Sequence, residues 1–171
     1  MSELEKVLAA NAEYVEAYPY PEDLPHRPTR KIAVLTCMDC RLEPDNALGL
    51  AVPEANYIRN AGGRASDDAL RSLVVSTRLL GAEEIFVVQH LDCGMSGTTQ
   101  AGIVEVLARE NLALEAPASM VDWLTIGDPE ATVRADVEII RNYPLLSADI
   151  PVHGFLLDPK TGALLPVTDA D

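Results

Sequence analysis

Lys31-Ile32-Ala33-Val34-Leu35-Thr36 runs straight into Cys37-Met38-Asp39-Cys40-Arg41, and later in the chain Glu84-Ile85-Phe86-Val87-Val88-Gln89 runs straight into His90-Leu91-Asp92-Cys93-Gly94. Each begins as a short, continuous apolar run rich in β-branched residues. A strand covered on one face alternates apolar with polar residues, whereas a strand covered on both faces reads as an unbroken run, so both stretches predict inner strands of a parallel sheet. Between them, Asn56-Tyr57-Ile58-Arg59 reads as a shorter strand. Ser66 to Leu80 predicts a helix, with Ser66 as N-cap, Asp67 and Asp68 in the first turn, and Leu70, Leu73, Val74 and Thr77 on one face before Gly81. A further helix is expected around Ile103 to Glu110. Asp128 and Pro129 suit the cap and first position of another, running from Glu130 to Asn142 and ended by Pro144. Val152 to Leu157 and Ala163 to Val167 read as late strands joined by the turn Asp158-Pro159-Lys160-Thr161-Gly162. The alternation predicts an α/β fold: a mostly parallel central sheet of about four strands flanked by helices, with a late edge strand. Ligands of such sheets bind beyond the carboxyl ends of the strands, where both polar stretches fall.

Upstream of the first strand, Ser2 to Tyr18 places Leu4, Val7, Leu8, Tyr14 and Val15 at helical spacing, with Ser2 and Glu5 as a capping box. Pro19, Pro21, Pro25 and Pro28 then dictate an extended connector to Arg30. Residues 1–30 are thus expected to be a helix and a Pro-rich arm on one α/β domain spanning residues 1–171. A chain of 171 residues buries about 70% of its unfolded surface, enough for a core without staples. With 13 Lys+Arg against 27 Asp+Glu, the net charge is −14, and the positive residues never cluster into a basic run. Nucleic acid and anionic membrane surfaces are therefore excluded as partners. No apolar stretch approaches the roughly 18 residues of a membrane span. Met1-Ser2-Glu3-Leu4-Glu5-Lys6 has neither a basic nor an apolar leader region, which predicts a cytoplasmic location. Three cysteines, an odd number, suit a reducing compartment and point to metal binding or catalysis.

All three cysteines and one of the three histidines follow directly on the two predicted inner strands. Thiolates with an imidazole favour zinc, and a Cys, His, Cys set leaves the fourth position open, as a catalytic site requires. Two other arrangements fit the same residues. Cys37-x-x-Cys40 matches a redox dithiol, which leaves His90 and Cys93 without a role. Cys37, Cys40, His90 and Cys93 together would make a closed, inert structural site in a non-catalytic binding module. Asp39 and Arg41 favour the open site: a carboxylate beside the metal accepts a hydrogen bond from bound water, and an arginine keeps that carboxylate ionised and oriented. His26 in the connector and His153 in a late strand read as structural or solvated.

In Cys37-x-Asp39-x-Arg41, Arg59-Asn60-Ala61-Gly62-Gly63 and His90-x-x-Cys93-Gly94-Met95, taken in that order, the chain resembles the β-class carbonic anhydrases. The resemblance implies zinc held by Cys37, His90 and Cys93, with Asp39 and Arg41 as a catalytic dyad, and a homodimer or an oligomer of dimers. It implies reversible hydration of carbon dioxide by a zinc-bound hydroxide that Asp39 orients. Backbone around Gly62 and Gly94 would line the substrate pocket, because glycine lets substrate approach the main chain closely. The compact branch of the family also contains hydrolases of carbonyl sulfide and carbon disulfide, which are likewise small neutral substrates. Leu91, where a small polar residue is common, is expected to make the pocket more apolar and leans toward a sulfur substrate. Cys40 stands where relatives more often carry Ala or Ser. Some relatives close the site by letting the dyad aspartate ligate the metal. The apolar stripe of the opening helix is expected to pack on a neighbouring subunit.

Overall fold

The structure, a computed structural model, describes residues 1–110 and 121–168. Its elements in chain order are α1 (Glu3–Glu16), β1 (Ile32–Cys37), α2 (Pro44–Leu48), β2 (Ala55–Asn60), α3 (Asp67–Arg78), β3 (Glu84–His90), α4 (Gln100–Arg109), α5 (Pro129–Arg141), β4 (Val152–Leu157) and β5 (Leu164–Pro166). Single 3-10 turns lie at Ala61–Gly63 and Gly94–Ser96. The sheet runs β2-β1-β3-β4-β5, with β1 parallel to both β2 and β3, β3 parallel to β4, and β5 antiparallel to β4. This is the mostly parallel sheet with a late edge strand that the pattern predicts, at five strands in all. The edge strand is antiparallel because a five-residue turn can join only antiparallel neighbours. The Asp158 amide donates to Ala163 O (2.9 Å) and the Gly162 amide to Asp158 O (2.8 Å) to close it.

All six residues of β1 are buried, as its unbroken apolar run requires, and Ile32 to Leu35 alternate between two cores. Ala33 and Leu35 join Ile85, Val87 and Val152 under α3 and α5, which contribute Leu70, Leu73, Val133, Val137 and Ile140. Ile32 and Val34 face the other way, with Val88, Leu157, Leu42, Leu50 and Ile126. Caps stand where the sequence places them for α3 and α5: Ser66 Oγ accepts from the Ala69 amide and Asp128 Oδ1 from the Ala131 amide. Helix α4 begins three residues earlier than its apolar spacing suggests, because Thr99 caps it by accepting from the Gly102 amide. The short α2 was not anticipated. Its signals are Pro44 in the first turn and Gly49, at φ 62°, just past its end.

The capping box of α1 is formed, Ser2 and Glu5 each accepting the other's amide at 3.2 and 2.6 Å. No residue of α1 is buried, and Leu4, Val7, Leu8 and Val15 stand exposed. From its last turn onward Tyr14, Tyr18 and Tyr20 stack edge to face, with centroids 5.5 and 5.3 Å apart. Among the described residues no helix is long and apolar enough to cross a membrane.

Candidate metal centre

Strand order places β1 and β3 side by side while their onward connections leave in opposite directions, so a crevice opens beyond their carboxyl ends. Cys37 is the last residue of β1 and His90 the last of β3, with Cys93 three residues on. Their donor atoms lie within 4.8 Å of one another, and they are the one such group among the described residues. The two sulfurs are 3.9 Å apart. A tetrahedral zinc with Zn–S near 2.3 Å sets its sulfurs roughly 3.8 Å apart, so the spacing fits that ion. His90 is 1% exposed, and its Nε2 has no hydrogen-bond partner. Its Nδ1 lies 2.9 Å from Leu91 O. A carbonyl can only accept, so Nδ1 carries the proton and Nε2 presents its lone pair to the cluster, the tautomer a metal requires.

Burial raises the Cys37 thiol, but His90 and the Asp39 and Gly62 amides outweigh it and bring the thiol down to about 7. Cys93 goes the other way, pushed up by burial and by the neighbouring Cys37. His90 is pulled down by burial and pulled up further by Cys37, ending above its ordinary value. Cys37 is thus poised to stabilise a cation, whereas a metal would have to displace the proton that Cys93 retains.

Asp39 Oδ1 accepts from the Arg41 amide (2.9 Å) and Nε (3.0 Å), and Oδ2 accepts from Nη2 (2.8 Å). Those bonds hold the Asp39 carboxyl well below the usual carboxylate range. Oδ2 lies 3.8 Å from His90 Nε2, so the ionised carboxylate borders the cluster without joining it. Cys40 is exposed and stays outside the group. Neither the Cys37–Cys40 dithiol nor the four-ligand set with Cys40 is therefore assembled. His153 pairs with Glu84 at 2.7 Å, at the opposite end of β3.

Several further residues hold the site in roles that the sequence does not show. Arg59 on β2 donates from Nε to Cys37 O (2.9 Å) and from Nη2 to Asp39 O (2.8 Å), fixing the exit of β1. Asn60 ties down the 3-10 turn by accepting the Arg64 amide and donating to Arg64 O, both at 2.8 Å. Gly63, at φ 64°, packs so tightly on β1 that a Cβ would stand 2.9 Å from the Cys37 nitrogen. Asp92, at φ 56° between two predicted ligands, turns both its carbonyl (2.9 Å) and its carboxylate (3.0 Å) onto Arg41. Arg41 is thus clamped from both loops.

Beside the thiols and Asp39 is a cavity of about 160 Å³. Met38, Ala61, Gly62, Gly94 and Met95 form its wall, so both glycines singled out in the sequence border it. A Cβ on Gly94 would meet nothing within 4 Å, so packing does not demand glycine there. Leu91 corrects the sequence reading. It packs against the core under α3 and α5 and does not line the cavity, whereas Cys93 belongs to the other core and does line it. The apolar character comes from the two methionines and Ala61 instead.

A carbonic anhydrase family model matches residues 32–164. Over 98% of its length the chain is 35% identical to β-carbonic anhydrase 1 of Mycobacterium tuberculosis, covering 99% of that protein. The chain belongs to the β-carbonic anhydrase family. Among solved structures, the carbonic anhydrase of Streptococcus mutans superposes with a TM-score of 0.91 at 41% identity, covering 98% of this β-carbonic anhydrase and 99% of that chain. A carbon disulfide hydrolase of Acidithiobacillus thiooxidans is 33% identical, over 80% of this chain and 77% of its own.

Proposed function

We propose that this β-carbonic anhydrase catalyses the reversible hydration of carbon dioxide, with zinc held by Cys37, His90 and Cys93. The observation that carries this reading is the bare, buried Nε2 of His90 aimed among two thiols, beside an arginine-locked carboxylate and an apolar cavity. Zinc supplies a nucleophile at neutral pH by lowering the pKa of bound water to about 7, for which carbonic anhydrase is the standard case.

The remaining roles belong to the chain. Asp39, kept ionised by Arg41, can only accept, so it fixes which way the O–H of the attacking water points and leaves a lone pair for the substrate. Arg41 acts through Asp39: with both carboxylate oxygens occupied, Asp39 is restrained from swinging onto the metal. The cavity beside Gly62 and Gly94 receives a neutral linear molecule that offers no charge to bind. A net charge of −14 neither attracts nor repels it.

Sulfur analogues of carbon dioxide are the second reading, favoured by the thioethers of Met38 and Met95 in the cavity wall. Matching along nearly the whole chain, against 80% for the carbon disulfide hydrolase, supports carbon dioxide as the main substrate. Stopped-flow hydration beside a sulfide-release assay on one zinc-loaded preparation decides between them. Zinc at one per chain with neither activity would leave a structural site. The apolar stripe of α1, bare in the single chain, supports a homodimer or oligomer of dimers in which a second copy covers it, and a monomeric mass in light scattering would refute that. Three free cysteines, two of them needed as thiolates, support a reducing, cytoplasmic setting.

A further inference from the structure

Asp136 is a carboxylate with no evident reason to be where it is. It sits on the apolar face of α5 among Val133, Val137 and Ile140 and is 1% exposed. Its Oδ2 accepts from Arg64 Nε (2.7 Å) and Gln89 Nε2 (2.6 Å), and its Oδ1 from Arg64 Nη2 (3.3 Å). Arg64 extends the cluster, donating from Nη1 to Leu124 O (2.5 Å) and Thr125 O (3.2 Å). Leu124 is itself held at φ 51°, a conformation a leucine rarely adopts. Replacing a buried ion pair with apolar side chains of similar volume is often neutral or stabilising, so filling this space does not require charge.

Each segment the cluster grips leads to the pocket. Arg64 follows the Ala61–Gly63 turn, and its Cγ stands 3.1 Å from where a Gly62 Cβ would be. Thr125 precedes Ile126, whose amide donates to Met95 O (3.0 Å) and whose Cδ1 lies 3.3 Å from that same Gly62 Cβ position. Gln89 adjoins His90, and its Nε2 also reaches Gly63 O at 3.5 Å. One buried carboxylate on α5 therefore sets the relative positions of the two cavity walls, the 61–62 wall and the 94–95 wall.

We propose that Asp136, acting through Arg64 and Gln89, is a positioning residue that fixes the width of the substrate cavity and so the preference between carbon dioxide and its bulkier sulfur analogues. This rests on the reading above of which cavity takes the substrate. A methylene-sized change in an apolar pocket shifts selectivity by about tenfold or more, so sub-ångström control of the walls is enough to matter.

Arg64→Lys tests it, because lysine keeps the charge opposite Asp136 but has a single donor centre and cannot also hold the 124 and 125 carbonyls. The zinc-loaded variant is expected to keep one zinc per chain and to shift the ratio of kcat/KM for carbonyl sulfide over carbon dioxide by about tenfold. Amide hydrogen exchange should rise in residues 61–64, 94–97 and 124–127 and stay unchanged in β1 and β3. If the lysine variant does not fold, Arg64→Met with Gln89→Leu and Asp136→Leu removes the cluster without stranding a charge, and the same shifts are expected. An unchanged ratio with unchanged exchange overturns the proposal. So does exchange that rises equally across β1 and β3, which would make the cluster a fold stabiliser only. Wild-type protein inactive on both substrates would refute the functional reading, and the exchange pattern alone would then decide this one.

Discussion

Arg41 and Arg64 each grip an aspartate at nearly the same distance, 2.8 Å to Asp39 and 2.7 Å to Asp136, in surroundings that otherwise differ throughout. The first pair is two residues apart in sequence, and 44% of the Arg41 side chain faces solvent. The second spans 72 residues, and its members are 10% and 1% exposed. In water, an ion pair contributes little stability, because solvent competes for both partners and salt screens them. At Asp39 it keeps a carboxylate charged and fixed in orientation beside the donor cluster. Away from water, an ion pair acts as a rigid joint, since any departure leaves a bare charge in the core. A short distance alone therefore says nothing about what a salt bridge is for.

Hydration depends on the metal before it depends on either pair, so the largest effect is expected at the metal centre. Cys37→Ser or Cys93→Ser should abolish zinc binding in metal analysis and lower hydration by roughly 10³-fold or more. Asp136→Leu alone should lower unfolding free energy by about 3–5 kcal/mol in urea titration, because it strands the Arg64 guanidinium. Asp39→Ala inverts that pattern. Hydration should fall by about 10²-fold or more with zinc retained and the urea midpoint scarcely moved. Equal stability losses from these two substitutions would break the contrast between the pairs.

Proton linkage sharpens it. Asp39 has its folded pKa below the unfolded value, so its stabilising contribution is present above about pH 4 and is lost as pH falls through the folded value. Carboxyl NMR of the metal-free protein should accordingly show no Asp39 titration between about pH 8 and 5. Zinc binding, in contrast, should release protons, and more per metal as pH falls through about 7, because Cys93 holds its proton above its ordinary value and the Cys37 thiol, at about 7, must also give its own up. Calorimetry in buffers of different ionisation enthalpy reads that number. The smallest effect is expected from Cys40→Ser: exposed and outside the donor cluster, it should leave zinc content and rate unchanged.

The inner strands were legible because burial on both faces leaves an unbroken apolar run, and the metal ligands because they follow those runs directly. Helix ends were legible where a cap residue is unambiguous, as at Ser66 and Asp128. Leu91 was expected in the pocket from the residue type common at its position, and residue type alone does not show that its side chain packs into the core under α3 and α5. Arg59 was quoted as part of a motif without a role, since nothing local shows that its guanidinium reaches back across to the carbonyls of Cys37 and Asp39.

The sequence by itself determined what is periodic or contiguous: the parallel core, the capped helices, the candidate donors at the strand ends and the Asp39–Arg41 pair, all set by interactions within a few residues or by strand patterning. Only the tertiary structure decided that Cys40 faces away, that Asp92 clamps Arg41 across 51 residues, and that Asp136 meets Arg64 and Gln89. Those contacts join segments whose spacing along the chain carries no signal, and they exist because the sheet's strand order and the packing of α5 bring them into reach.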